Sequence, residues 1–102
     1  MKRVRVSDFP ELRRVFAGYL HEDFLEEHAS AADAIRAFLA DASAVERKRF
    51  DREAHRFLEV IRHLESDQAL ALLDRLGARW RPESRDELAK MLAEIVQAND
   101  SL

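Results

Sequence analysis

The residues with the clearest capacity for chemistry lie in one short stretch between Tyr19 and His28, which has the sequence YLHEDFLEEH. The stretch combines two histidines with four carboxylic acids and contains no lysine or arginine. Side chains of these types can ligate a metal ion, transfer protons or present negative charge to a cationic partner. The candidate site residues are Tyr19, His21, Glu22, Asp23, Glu26 and Glu27.

The spacing of the histidines does not favour a metal site. The zinc-protease pattern places two histidines at i and i+4, with a glutamate after the first. His21 and His28 are seven positions apart, and Leu25 occupies the position where the second ligand would stand. A site completed by distant groups is the alternative, but we expect no metal and no cofactor. The other histidines, His55 and His63, are expected to lie half-buried at the edge of the core.

The carboxylic acids are not arranged for acid–base catalysis. They form two adjacent pairs, Glu22 with Asp23 and Glu26 with Glu27, and adjacent side chains on a helix diverge instead of facing each other. The chain has no cysteine. It also has no glycine-rich phosphate loop and no nucleophile motif accompanied by a base. We therefore expect a protein that is not an enzyme.

Negative charge is concentrated in about one quarter of the chain. The net charge of the 102 residues is −3, but residues 21–46 carry seven acidic and one basic side chain, a balance of −6. Such a surface repels nucleic acid and attracts a basic partner. No apolar run approaches the roughly 20 residues that span a bilayer. The basic N-terminus is not followed by the apolar segment of a signal peptide, so we predict a cytoplasmic protein without a membrane partner.

The hydrophobic pattern predicts an all-α fold. Only two glycines and two prolines are available for turns, and 47% of the residues are hydrophobic, which disfavours a β-sandwich or barrel. Apolar residues recur at helical spacing, which indicates a compact single-domain bundle of about five short amphipathic helices over residues 1–102. The predicted helices cover about 10–20, 30–42, 43–64, 66–76 and 84–98, with an extended arm at 1–8 and a frayed tail at 99–102.

Local patterns indicate how these helices begin, end and connect. Asp8 and Glu11 are spaced as in a capping box at the start of the first helix. Gly77 follows the fourth helix at the position where a left-handed residue commonly ends one. Between the first two helices, Phe24 and Leu25 are expected to return the acidic stretch to the core.

One loop carries an aromatic residue between two arginines, Arg79-Trp80-Arg81. The indole could stack on a nucleic-acid base while the arginines contact phosphates. It could instead anchor the loop to the bundle, with the arginines solvated or stacked on the ring. The acidic net charge favours the anchor. A helical nucleic-acid-binding or regulatory module that uses this loop remains the alternative function.

A family resemblance is strongest in the first two-fifths of the chain. The segment FPELRR, which begins at Phe9, is followed by Phe16, by YLHEDF from Tyr19 and by Glu27. This pattern resembles the immunity proteins of contact-dependent growth inhibition systems, the CdiI type, which open with a Pro-x-Leu helix and a Tyr-x-His-Glu-Asp segment. These proteins continue into a helix similar to SAADAIRAFL at residues 30–39. The matching positions are Tyr19, His21, Glu22 and Asp23, with Glu27 less securely placed.

The resemblance implies a small cytoplasmic protein that has no activity of its own and binds the C-terminal toxin domain of a delivered CdiA effector. Such toxins are often nucleases, and tRNA is a common substrate. We therefore predict an immunity protein that neutralises its cognate toxin in a 1:1 complex and does not itself bind nucleic acid. From the clustering of charge, we predict that Glu22, Asp23, Glu26 and Glu27 face a basic surface of the toxin.

Overall fold

The computed structural model describes residues 5–21 and 23–100. All regular structure in this part of the chain is helical, which confirms the predicted all-α fold. A 3-10 helix, Val6–Asp8, precedes the α-helices. The α-helices are α1 (Pro10–Tyr19), α2 (Phe24–Glu27), α3 (Ala31–Asp41), α4 (Ala44–Arg62), α5 (Ser66–Arg75) and α6 (Arg85–Asp100).

The buried hydrophobic side chains form one cluster, to which each of the longer α-helices contributes. The long helix α4 packs against both α6 and α1. In α4, the ring of Phe57 lies edge-to-face on Phe9 and Phe16, with ring centroids 5.6 and 6.1 Å apart. The Cα radius of gyration is 12.6 Å, close to the value of about 13 Å that a compact domain of this length should have.

Near both ends of the described residues, the backbone is helical where an extended arm or a frayed tail was expected. Val6–Asp8 forms a 3-10 turn in which the N–H of Phe9 donates to the carbonyl of Val6 at 3.0 Å. Phe9 is only 1% exposed, so its burial draws this segment back onto the bundle. At the other end, α6 continues to Asp100. The rest of the predicted arm and tail, residues 1–4 and 101–102, lies outside the described residues.

The start of α1 is capped by a side chain from another helix. The predicted pairing of Asp8 with Glu11 is wrong, because the carboxylate of Asp8 accepts from the N–H of Arg5 instead. Glu53 in α4 places Oε1 2.8 Å from the backbone nitrogen of Glu11 and 3.0 Å from that of Leu12. These N–H groups have no acceptor within their own helix, and a carboxylate there complements the helix dipole. Glu53 therefore fastens α1 to α4.

The position of Glu53 changes its acidity. Burial raises the pKa of the Glu53 carboxyl above its ordinary value of 4.5, and the two backbone donors from α1 oppose that rise. The nearby carboxylate of Glu11 raises the pKa of Glu53 further, whereas Arg56 lowers it. The folded protein therefore holds this proton more tightly than the unfolded chain does. Ionisation of Glu53 should consequently reduce stability as the pH rises from 4.5 through the raised pKa.

The variant Glu53→Gln should keep the acceptor oxygen but lose this ionisation. Relative to the unchanged protein, its free energy of unfolding should increase as the pH rises from below 4.5 through the raised pKa, and then level off. Urea denaturation followed by circular dichroism at several pH values measures the difference. Glu53→Ala should be about 1–3 kcal/mol less stable than Glu53→Gln, because two backbone donors lose their acceptor. A pH-independent difference between Glu53→Gln and the unchanged protein would contradict this account.

The helix α5 ends in a Schellman motif at Gly77, as predicted. The N–H of Gly77 donates to the carbonyl of Asp74 at 2.9 Å, and the N–H of Ala78 donates to that of Leu73 at 3.4 Å. Gly77 has a φ of +98°. A Cβ atom at this position would lie 2.9 Å from the Cβ of Ala17 in α1. Backbone conformation and the close approach of α1 therefore both require glycine.

Candidate functional site

The acidic segment, which we define as residues 19–28, connects α1 to α3 and contains α2. Hydrogen bonds hold the chain at the start of this segment and just beyond its end. At the first, the carbonyl of Leu20 accepts a hydrogen bond of 2.7 Å from the N–H of Arg79. At the second, the hydroxyl of Ser30 accepts one of 3.1 Å from the N–H of Asp33 and caps α3. The fold thus fixes where the acidic segment begins and ends.

Tyr19 lies at the packed base of the acidic segment. Its half-buried ring makes an edge-to-face contact with Phe38 in α3, with centroids 5.5 Å apart. Phe38 in turn lies 6.1 Å from Phe50 in α4. Contacts of this kind hold a ring in one orientation. The structure therefore gives Tyr19 a role in supporting the segment, and its predicted contact with a toxin stays a prediction.

The two histidines of the segment flank Glu27. Nδ1 of His21 accepts a hydrogen bond of 3.1 Å from the N–H of Asp23, which assigns the ring proton to Nε2. That Nε2 lies 3.9 Å from Oε1 of Glu27, and Nε2 of His28 lies 4.0 Å from its Oε2. These distances are too long for hydrogen bonds. The Glu27 side chain remains 63% exposed, so its charge is available to a partner.

The surface of the segment combines exposed acids with one exposed apolar side chain. Asp23, Glu26 and Glu27 are exposed, and Leu25 is 67% exposed. The expectation that Leu25 returns the segment to the core is wrong, because α2 packs against α3 in a position that leaves Leu25 on the solvent side. Glu22 lies outside the described residues. The structure therefore leaves three of the predicted carboxylates exposed in this segment, together with a leucine whose exposure was not predicted.

A cleft of about 270 Å³ opens beside Leu25, and we call it the Leu25 cleft. Its walls come from α2, the start of α3, the loop after α5, and α6. The wall residues are Leu25, Ser30, Ala31, Ala32, Trp80, Glu87 and Met91. Glu87 and Met91 both belong to the last predicted helix, 84–98. The sequence pattern does not indicate that they meet the acidic segment, because the contact depends on how the helices pack.

Trp80 fits the anchor interpretation of its loop. The side chain is half-buried and packs against the hydrophobic core. Arg79 and Arg81 on either side are exposed. Trp80 also lines the Leu25 cleft beside Glu87, whose negative charge repels the phosphates of a nucleic acid. The alternative of a nucleic-acid-binding module that uses this loop therefore loses support.

The described residues contain neither a metal cluster nor a helix that could span a membrane. No three histidine, cysteine or acidic side chains among them lie close enough to hold a metal ion, and their helices are too short or too polar to cross a bilayer. The expectation for His55 and His63 is wrong, since their side chains are 57% and 71% exposed. Each lies near an acid four residues earlier: Nε2 of His55 is 3.6 Å from Asp51, and Nε2 of His63 is 3.4 Å from Glu59.

Comparison with known proteins identifies the family. A family model described as CdiI immunity protein matches residues 8–99. No curated protein and no solved structure matches the chain. The matched residues include the whole of the FPELRR and YLHEDF segments, and the match confirms the resemblance seen there. Because it spans almost the whole chain, the protein belongs to the CdiI immunity protein family, and its function is to neutralise a toxin.

Proposed function

We propose that this immunity protein binds the C-terminal domain of a CdiA effector in a 1:1 complex, that the toxin is a nuclease, and that the acidic segment makes the contact. The observation that carries the proposal is that Asp23, Glu26 and Glu27 are exposed, as is Leu25, within one short segment. Like charges that lie within five consecutive residues repel each other in the free protein. A cationic partner surface would relieve that repulsion.

A nuclease toxin would supply such a surface. Proteins that bind nucleic acid contact the phosphate backbone mainly through lysine and arginine. Carboxylates on a folded surface present negative charge to the same groups. Opposite charges accelerate association and select the partner, whereas apolar anchors contribute most of the affinity. The immunity protein then acts in the cytoplasm by occupying the toxin, with no reaction of its own.

We expect the gene beside this one to encode a large exoprotein, and the C-terminal domain of that exoprotein is used to test the proposal. Expression of that domain should stop growth, and co-expression of the immunity protein should restore it. The purified proteins should form a 1:1 complex, and one equivalent of immunity protein should abolish RNA or DNA cleavage by the toxin. The immunity protein alone should not bind nucleic acid at low salt, whereas a nucleic-acid-binding module would do so in a salt-dependent manner. Growth arrest that persists despite co-expression would refute the pairing, and a toxin without cleavage activity would refute the nuclease assignment.

A further inference from the structure

We propose that the Leu25 cleft is the anchor site for one long cationic side chain of the toxin, an arginine. The inference rests on the proposed function, because it assumes that the acidic segment faces the toxin. It adds a defined pocket and a defined chemical group to that contact. Neither the family match nor the acidic sequence assigns this pocket, which is assembled from four separate parts of the chain.

The size and walls of the cleft suit a side chain. Its volume of about 270 Å³ is below the range of about 300–1,000 Å³ that is usual for small-molecule sites. Ala31 and Ala32 at the start of α3 leave the space open, and Met91 adds a flexible apolar wall. The half-buried ring of Trp80 supplies an aromatic surface. The three-carbon stem of an arginine can lie along such apolar walls while its head remains near water.

The charge at the cleft favours a cation. Glu87 is exposed and is the one charged residue among the wall residues. Glu26 and Glu27 lie on the same short helix as Leu25 and are also exposed. A guanidinium can stack on an indole and pair with a carboxylate at the same time, because it is planar and carries its donors in one plane. Arg79 and Arg81 adjoin Trp80 in the sequence, but neither forms part of the cleft wall.

Two other clefts on the described surface have no net negative charge in their walls. One of about 430 Å³ lies between α4 and α6, and its arginines already lie near carboxylates of the same cleft. Arg62 lies 3.4 Å from Glu59, and Arg85 lies 3.5 Å from Asp86. The other, of about 230 Å³, has two arginines and no acid in its walls. Charge complementarity therefore favours the Leu25 cleft as the site for an arginine.

Two variants test the cleft, each with a matched control. Leu25→Ala removes the exposed apolar wall, and Val45→Ala is its control because Val45 is 57% exposed on α4, outside the cleft. In the unchanged protein, the N–H of Glu83 donates to Oε2 of Glu87 at 2.7 Å. Glu87→Gln removes the negative charge but keeps an oxygen that can accept this hydrogen bond. Its control is Glu94→Gln, at an exposed position on the same helix. Calorimetric titration with the purified toxin domain should show about a tenfold loss of affinity for each cleft variant and less than about twofold for each control.

A direct probe of occupancy comes from Trp80, because the sequence contains one tryptophan. Fluorotryptophan incorporated during expression gives a fluorine NMR signal from this side chain alone. Addition of the unlabelled toxin domain should change the chemical shift of that signal. It should also reduce the difference between the chemical shifts measured in H₂O and in D₂O, which reports on contact of the ring with solvent. A bound toxin that shields the ring from solvent produces both changes.

Three results would overturn the inference, and they are distinguishable. If the toxin binds but the fluorine signal is unchanged and both cleft variants retain full affinity, the cleft is not the anchor site although the proposed function stands. If Leu25→Ala weakens binding and Glu87→Gln does not, an apolar side chain occupies the cleft and the arginine assignment is wrong. If the unchanged protein does not bind the toxin domain at all, the proposed function fails together with the inference.

Discussion

Removal of the four negative charges of the acidic segment is expected to weaken toxin binding about a hundredfold at low salt. The variant carries Glu22→Gln, Asp23→Asn, Glu26→Gln and Glu27→Gln, which preserve side-chain size and remove charge alone. If each of these charges contributes about 0.7 kcal/mol, the four together contribute about 2.8 kcal/mol, which corresponds to a hundredfold change in Kd. Most of the loss should appear in the association rate, and it should shrink as salt screens the charges.

A control variant separates this effect from the change in net charge. Glu59→Gln, Glu65→Gln, Glu94→Gln and Asp74→Asn alter the same number and types of acid at exposed positions outside the acidic segment. Association and dissociation rates measured with the toxin domain at low and high salt should change little in this control. Equal rates for the unchanged protein and the acidic-segment variant would show that another surface binds the toxin, even if the immunity function stands.

Truncation of Phe57 to alanine is expected to lower the free energy of unfolding by about 3–5 kcal/mol. Phe57 is fully buried, with 0% exposure, and its ring holds together Phe9 before α1 and Phe16 within α1. Its removal would leave a cavity and two aromatic rings without their edge-to-face partner. Because domains of this size are stable by only about 5–15 kcal/mol in total, the variant should lose a large fraction of its stability.

Urea denaturation followed by circular dichroism measures this loss. Phe57→Leu fills more of the cavity and should be affected less than Phe57→Ala. Val45→Ala, at an exposed position, should change stability by no more than about 0.5 kcal/mol. A loss below about 1 kcal/mol for Phe57→Ala would mean that the aromatic contacts in the core do not carry the packing assigned to them.

The helical architecture follows from the sequence wherever the information is local. Ser30 and Ser43 cap α3 and α4, and each accepts from the backbone N–H three residues later. Gly77 adopts the left-handed conformation that ends α5. Sequence reasoning failed at the start of α1, because its cap is Glu53, more than forty residues away. No local pattern indicates a hydrogen bond that exists only after α1 and α4 have packed.

In the candidate site, too, local features were predicted from the sequence, whereas contacts that depend on helix packing were not. The carboxylates of the acidic segment were predicted from their clustering, and the three that the structure describes are exposed. The exposure of Leu25 was not predicted, because its place in α2 depends on how α2 packs against α3. The approach of Glu87 and Met91 to that leucine was not predicted either, since it requires α6 to lie beside the loop that carries Trp80. The clustered acids can be read from the sequence, but the cleft forms only when the helices pack.

The fastening of the acidic segment at Leu20 and Ser30 has a consequence for how such proteins evolve. Both attachments end outside α2, at a backbone carbonyl and at a helix cap. Exposed residues such as Glu26 and Glu27 can therefore be exchanged at little cost to stability. Because selective binding also depends on what a surface repels, a few exchanges there could retarget one scaffold to a different toxin. Recognition can then change while the packing of the helical core stays the same.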